Sequence, residues 1–183
     1  VFKGGKPVSR EDLVHVAVDI DGTLDRNPEF YRIFLNDYRF NRFFITGRPE
    51  TERLITLNQF NNWQIIGGVN YEELVMYPAP YLFVWINNEP VYFALESSRQ
   101  FSSREDKDLA IQNAIDNNHS RFDSQQMVRD LAEWKASVCV KYGVKVIFED
   151  NLFIVEELRK HGVYVCHVDR KFLGGVNKNG SET

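Results

Sequence analysis

Short apolar runs alternate along this chain with longer stretches of helical spacing. The apolar runs are rich in β-branched and aromatic residues and show no polar alternation, which is typical of strands covered on both faces of a parallel sheet. They occupy about residues 14–20, 42–45, 63–66, 144–148 and 163–168. The pattern therefore predicts an α/β fold with a parallel sheet at its centre.

Helix-start signals stand between the apolar runs. Asn27 is a typical N-cap because a proline follows it at the first helical position, and Asn151 precedes a further apolar helical stretch. A capping-box pattern precedes Arg104, and Asp123 can cap the longest of these stretches. The predicted helices are a short one after residue 27, then 49–60, about 104–117, about 123–142, and one that ends at residue 162.

Residues 78–122 interrupt this alternation. Two apolar runs, 81–86 and 91–95, flank a polar turn and predict a β-hairpin, which the helix at about 104–117 follows. Three aromatic residues of the hairpin could stack a nucleobase, although aromatic residues at hairpin positions commonly pack only against one another. The three are Tyr81, Trp85 and Tyr92.

Composition indicates one globular domain at about 14–168, since the 183-residue chain is 43% hydrophobic, with polar and flexible ends at 1–13 and 169–183. The net charge of −4 indicates no overall attraction to nucleic acid or to an anionic membrane. The sequence shows no apolar segment of membrane-spanning length and no signal-peptide pattern. Cys139 and Cys166 fit buried free thiols of a reducing compartment, and a disulfide between them is the alternative. We therefore expect a cytoplasmic protein without a membrane partner.

The first apolar run ends in two carboxylates and a glycine, namely Asp19, Asp21 and Gly22. Side chains of a strand alternate with a period of two, so we expect both carboxylates to leave the strand end pointing the same way. Gly22 allows a tight turn that brings backbone N–H groups close to an anion. Two carboxylates beside such donors favour a joint site for a cation and a phosphate, and the alternative is an ordinary Asx turn.

Two later strand ends carry side chains of related chemistry. Thr46, Gly47 and Arg48 follow the second run, where the Thr46 hydroxyl and nearby backbone N–H groups can hold a phosphoryl oxygen, although Thr-Gly-Arg-Pro alone is a common turn. Glu149 and Asp150 follow the fourth run and offer carboxylates to a cation, although the dipole of the next helix also favours acids there. The order of these strand ends favours a shared site.

The segment Asp19-Ile20-Asp21-Gly22-Thr23-Leu24 resembles the DxDGT motif of the haloacid dehalogenase-like phosphohydrolases. The strand ends at 46–48 and 149–150 are similar to the second and fourth motifs of that superfamily. The resemblance covers about residues 14–168 and implies a Rossmann-like parallel sheet with helices on both faces. It also implies two alternatives for 78–122, either a small cap that selects the substrate or a hairpin that extends the sheet edge.

The resemblance implies a role for each of these residues. Asp19 would be the nucleophile, and Asp21 would be the general acid and base. Thr46, Gly47 and Arg48 would bind the phosphoryl group. Mg²⁺ would be held by Asp19, by the backbone carbonyl of Asp21 and by Asp150, with Glu149 acting through water.

The third motif of the superfamily is a basic residue, and two candidates compete for it on the helix at about 123–142. Lys135 has the usual residue type, but it lies about 16 Å from the helix start at 1.5 Å per residue. Arg129 lies within two turns of that start. The segment 129–135 also resembles the phosphatase domain of phage polynucleotide kinases, in which a lysine takes the place of Arg129. We favour Arg129 and keep Lys135 open.

The resemblance implies an Mg²⁺-dependent phosphatase that hydrolyses a phosphomonoester through an aspartyl-phosphate on Asp19. Because the net charge is acidic, we expect a phosphorylated small molecule or a nucleotide as substrate. The first alternative is a polynucleotide 3′-phosphatase that acts on nucleic-acid ends. The second is a catalytically silent domain that binds a phosphorylated partner. The sequence does not indicate an oligomeric state.

Overall fold

The computed structural model describes residues 2–3, 6–7, 13–95 and 98–169. Strands β1 (Phe2–Lys3) and β2 (Lys6–Pro7) pair antiparallel. Apart from these two strands and residues 13 and 169, the ends predicted to be flexible lie outside the described residues. The other strands are β3 (Val14–Val18), β4 (Phe40–Pro49), β5 (Glu73–Tyr77), β6 (Tyr81–Ile86), β7 (Glu89–Ala94), β8 (Val146–Glu149) and β9 (Tyr164–His167).

Five strands form one parallel sheet in the spatial order β5-β4-β3-β8-β9. Numbered along the chain, these strands stand in the order 3-2-1-4-5, as in a doubly wound Rossmann-like sheet. The central strand, β3, is buried from Val16 to Val18, which explains its unbroken apolar run. The strand order reverses between β3 and β8, and sheets of this kind leave a crevice at the carboxyl ends of such a pair.

Helices cover both faces of the sheet, so the predicted α/β class is confirmed. One hydrophobic cluster joins the sheet to Tyr31 of the first helix and Phe60 of the second. The cluster on the opposite face includes Ala136 of the fourth helix and Leu158 of the fifth. The helices are α1 (Pro28–Phe34), α2 (Arg53–Asn62), α3 (Arg104–Asp116), α4 (Ser124–Lys141) and α5 (Leu152–Lys160).

The predicted third strand at 63–66 is wrong, since the third strand of the sheet is β5. Gln64 has a φ of +57°, which breaks an extended conformation, and Ile65 packs into the core next to Phe60 of α2. The apolar residues at 63–66 therefore dock the end of a helix. β5 escaped prediction, and only Leu74 and Met76 of its five residues are buried, as suits a strand at the sheet edge.

The predicted hairpin is confirmed, and it stands apart from the main sheet. β6 and β7 pair antiparallel as a separate two-stranded sheet. Asn87 and Asn88 both have positive φ, of +52° and +64°, as a two-residue type I′ turn requires. Because the hairpin pairs with no strand of the five-stranded sheet, the alternative in which it extends the sheet edge is wrong.

Four predicted helix starts are confirmed with their caps. The side chains of Asn27, Ser103, Asp123 and Asn151 each accept a hydrogen bond from the backbone N–H three residues later. The helix predicted from Pro49 begins only at Arg53, because β4 continues to Pro49 and a short 3₁₀ turn, Glu50–Glu52, follows. No helix within the described residues is both long and apolar enough to cross a bilayer.

Candidate active site

A cavity of about 660 Å³ opens at the carboxyl edge of the sheet, beside the ends of β3 and β8. Asp19 and Asp21 reach it from the end of β3, Arg48 from β4, and Asp150 from the end of β8. The strand ends named by the sequence motifs thus meet at one place because parallel neighbours end at the same edge. The hairpin and α3 contribute the other walls.

A buried lysine joins two carboxylates at the centre of this site. Lys135 Nζ donates to Asp19 Oδ1 at 2.8 Å and to Glu149 Oε2 at 2.6 Å, and each of these residues is at most 5% exposed. Burial raises the pKa of Asp19 well above its usual value, although the charge of Lys135 opposes this. Burial alone would lower the pKa of Lys135, but the two carboxylates outweigh it and raise that pKa.

The preference for Arg129 over Lys135 is wrong, because Lys135 and not Arg129 contacts the carboxylates of the site. Arg129 is exposed, and its Nη2 donates to Gln126 Oε1 instead of to a carboxylate of the site. The prediction assumed that α4 starts level with the sheet edge. The first turns of α4 pack on the hairpin, where Ser124 Oγ donates to the carbonyl of Pro90, so the helix reaches the carboxylates only farther along.

Asp21 forms a separate ion pair with Arg48 across the neighbouring strand end. Arg48 Nε and Nη2 donate to the two carboxylate oxygens of Asp21 at 2.8 and 2.6 Å. Desolvation opposes ionisation of Asp21, but the hydrogen bonds and charge of Arg48 outweigh it and lower the pKa of Asp21. Thr56 Oγ1 and Gln59 Oε1 accept from Nη1 of the same guanidinium.

The strand expected to direct Asp19 and Asp21 the same way ends before both of them. β3 ends at Val18, and the following residues turn, with Leu24 N–H donating to the carbonyl of Asp19 at 3.2 Å. Strand alternation therefore no longer applies at these carboxylates. Asp19 is buried, whereas the side chain of Asp21 is 58% exposed.

Of the three residues predicted to bind phosphate on β4, Gly47 and Arg48 line the cavity. Thr46 is fully buried, and its Oγ1 accepts a hydrogen bond from the backbone N–H of Arg48 at 3.2 Å. The role assigned to Thr46 stays a prediction. Its present contact supports the backbone of Arg48.

Three carboxylates lie close enough together to hold one metal ion. An oxygen from each of Asp19, Glu149 and Asp150 lies within 4.8 Å of an oxygen of the other two. Glu149 also accepts a hydrogen bond from the backbone N–H of Asn151. Because carboxylate oxygens are the ligands that hard divalent cations prefer, such a cation fits the donor atoms of this cluster.

Gly22 of the first motif permits the close approach of Asp150. Its φ is +80°, and a Cβ added there would lie 2.1 Å from Asp150 Oδ2. A side chain at this position would therefore meet both backbone strain and a steric clash with one of the clustered carboxylates. The glycine of the motif has a packing role as well as a conformational one.

Sequence reasoning missed the polar residues that α3 and the 3₁₀ turn contribute. Lys107 Nζ lies 2.7 Å from Glu52 Oε1, and both residues line the cavity beside Arg104. Arg104 and Lys107 are three residues apart and share one side of α3, which is the signal that could have indicated a basic helix face. No comparable signal marks Glu52.

The chain was compared with known proteins: no protein-family model matches it, and no curated protein matches its sequence. The chemistry of the site therefore follows from its own geometry. A buried carboxylate held by a lysine can act as a nucleophile, and the more exposed Asp21 can exchange protons. The acidic cluster and the guanidinium can together hold a cation and an anion.

Proposed function

We propose that this protein is a phosphatase of the haloacid dehalogenase-like type, dependent on Mg²⁺ and acting on a phosphomonoester of a small molecule or a nucleotide. The observation that carries the proposal is that four side chains meet at the ends of β3 and β8, where the strand order reverses. They are Asp19, Lys135, Glu149 and Asp150. A nucleophile, a basic residue and an acidic pair then stand in the order along the chain that the resemblance implies.

In the proposed reaction, Asp19 attacks the phosphorus atom and forms an aspartyl-phosphate. Lys135 orients the attacking carboxylate and offsets the charge that gathers around it. Asp21 protonates the leaving oxygen and then removes a proton from the water that releases phosphate. Since both oxygens of Asp21 accept hydrogen bonds from Arg48, we infer that Arg48 turns to the phosphoryl group when substrate binds.

Asp19, Asp150 and the backbone carbonyl of Asp21 would hold Mg²⁺, with Glu149 beside them. The bound ion would neutralise part of the charge that the carboxylates and the phosphoryl group bring together. Burial supports this assignment, because close carboxylates with one lysine among them repel one another in a site of low dielectric constant.

The hairpin and α3 form a cap in this proposal. They line the cavity opposite the carboxylates, and the enclosed volume of about 660 Å³ is of the size that suits small molecules. One observation favours the polynucleotide alternative. A groove of about 340 Å³ shares Pro90 and Val128 with the cavity and leads to Arg129 and Phe153, where a further nucleotide could lie.

Hydrolysis of p-nitrophenyl phosphate tests the proposal. We expect turnover with Mg²⁺, none with EDTA, and a loss of at least about 10³-fold in Asp19→Asn. Asp108→Asn, on the exposed side of α3, is the matched control and should retain full activity. Turnover that persists in EDTA or in Asp19→Asn would rule out the proposed mechanism.

Two further measurements distinguish the alternative functions if aryl phosphate is not hydrolysed. If no variant or metal supports turnover, binding of beryllium fluoride with Mg²⁺ would indicate the silent phosphate-binding alternative. Activity on a 3′-phosphorylated oligonucleotide that falls steeply with salt would favour the polynucleotide alternative, because several phosphates would then contact the protein.

A further inference from the structure

The hairpin has two faces of different composition. Along β6, Leu82, Val84 and Ile86 point to α3 and pack in one hydrophobic cluster with it, which also contains Phe93 and Phe101. Tyr81, Phe83 and Trp85 alternate with them and point to the cavity. Hydrophobic packing alone accounts for the first face, whereas the second presents aromatic rings to the space above the carboxylates.

The rings of the second face form a continuous series from the sheet to the cavity mouth. Tyr81 contacts Tyr92 at 5.6 Å between ring centroids, Tyr92 contacts Phe83 at 5.1 Å, and Phe83 contacts Trp85 at 5.6 Å. The hydroxyl of Tyr81 donates to the carbonyl of Gly47 beside the site. Exposure increases along the series, from 3% for Tyr81 to 61% for Trp85.

Most of the Trp85 side chain is exposed and is not covered by packing within the hairpin. A tryptophan has the largest apolar surface of any residue, and a ring that served only to close the hairpin would be buried by its neighbours. Trp85 instead lines the cavity while most of its surface faces solvent. At the mouth of the cavity, Trp85 would contact the end of a substrate that lies farthest from the reacting phosphate.

Positive charge accompanies these rings. Within the described residues, Lys135, Arg48 and Lys107 form ion pairs with acids of the cavity, whereas Arg26 and Arg104 line it without an ion pair. Two exposed guanidinium groups and an aromatic surface at one opening match a ligand that is both anionic and planar.

We propose that the aromatic face of the hairpin binds the base of a nucleotide whose phosphate lies at Asp19. Phe83 and Trp85 stack the base, and the positive charge of Arg104 in the cavity lining favours entry of the anionic ligand. This inference rests on the proposed phosphatase function and narrows its substrate from phosphomonoesters in general to nucleotides. Base stacking is tolerant of sequence, so the four bases should be accepted similarly.

The test compares substrates that differ only in the base. Deoxyadenosine 3′- and 5′-monophosphates are each paired with the 1,2-dideoxyribose phosphate that carries the same phosphate and no base. We expect kcat/KM to be higher for the nucleotide of at least one pair by about 5- to 150-fold, the range typical of one stacked base. Trp85→Ala should reduce this ratio towards one, and Trp85→Phe should restore most of it.

Tyr38→Ala is the matched control, because Tyr38 is 60% exposed and lies outside the cavity. It should leave the ratio unchanged. Equal kcat/KM for nucleotide and abasic phosphate, or a ratio that Trp85→Ala does not alter, would overturn the inference while leaving the phosphatase proposal intact.

A binding measurement keeps the inference testable if the chain hydrolyses nothing. Calorimetric titration of Asp19→Asn with deoxyadenosine monophosphate and Mg²⁺ should give a dissociation constant that rises about 5- to 150-fold when Trp85→Ala is added. Absence of turnover together with this rise would reject the enzyme and retain the nucleotide site. Equal affinity in both proteins would reject the site.

Discussion

The cavity has a floor and a roof that are stabilised in different ways. The floor consists of Asp19, Lys135, Glu149 and Asp150, of which the first three are almost fully buried and joined through one ammonium group. The roof is the aromatic face of the hairpin, whose rings contact one another in series. Charges hold the floor together, and apolar contacts hold the roof.

This difference determines how each region tolerates substitution. In the floor, removal of one charge leaves its partners buried and uncompensated. A single substitution therefore destabilises all of these side chains. In the roof, each ring has its own contacts, and exposure rises towards the mouth. Side chains of the roof can therefore change without disturbing the charges of the floor.

Loss of Lys135 should have the largest effect. Lys135→Met leaves Asp19 and Glu149 buried without a cation, and we expect the free energy of unfolding to fall by about 3–5 kcal/mol. Phosphatase activity should fall at least about 10²-fold. Chemical denaturation and aryl phosphate hydrolysis measure the two effects.

Arg129→Met on the same helix is the matched control for Lys135→Met. Its side chain is exposed, so its stability should stay within about 0.5 kcal/mol of the wild type. If the two variants were equally stable and active, the floor would not depend on its central charge, and the comparison with the roof would fail.

A smaller effect is expected where the backbone passes beneath Asp150. Gly22→Ala should lower the free energy of unfolding by about 3 kcal/mol, because a left-handed φ and a clash with Asp150 act together. Gly68→Ala shares the positive φ, at +76°, but has open space around its Cβ and should cost only about 1 kcal/mol. Thermal or urea unfolding of both variants would measure the contribution of the clash, and equal losses would argue against close packing of the floor.

The smallest effect should come from the one roof side chain that is hydrogen-bonded to the sheet. Tyr81→Phe removes the donor to the Gly47 carbonyl and should lower the free energy of unfolding by about 1 kcal/mol. Tyr92→Phe is the control, since the Tyr92 hydroxyl has no hydrogen bond among the described residues. Urea denaturation at one pH would compare them, and an equal loss in both variants would mean that Tyr81 does not anchor the roof.

Local features of the sequence determined much of this protein. The N-caps at Asn27, Ser103 and Asp123 and the hairpin turn at Asn87–Asn88 depend on residues within a few positions, so their identity is visible in the chain. The meeting of three strand ends was also predictable, because parallel strands that are adjacent share an edge. The edge strand β5 was not predicted, since a run of five residues with only two buried gives a weak signal.

Only the tertiary structure decided which side chains meet at the site. Lys135 reaches Asp19, which is 116 positions away, because α4 starts on the hairpin above the sheet edge, and no local pattern records that offset. β3 ends at Val18, before both carboxylates of the first motif, and Glu52 forms an ion pair with Lys107 of α3, 55 positions away. Sequence spacing determines the order of chemical groups along the chain, whereas their distances depend on where whole helices and strands dock.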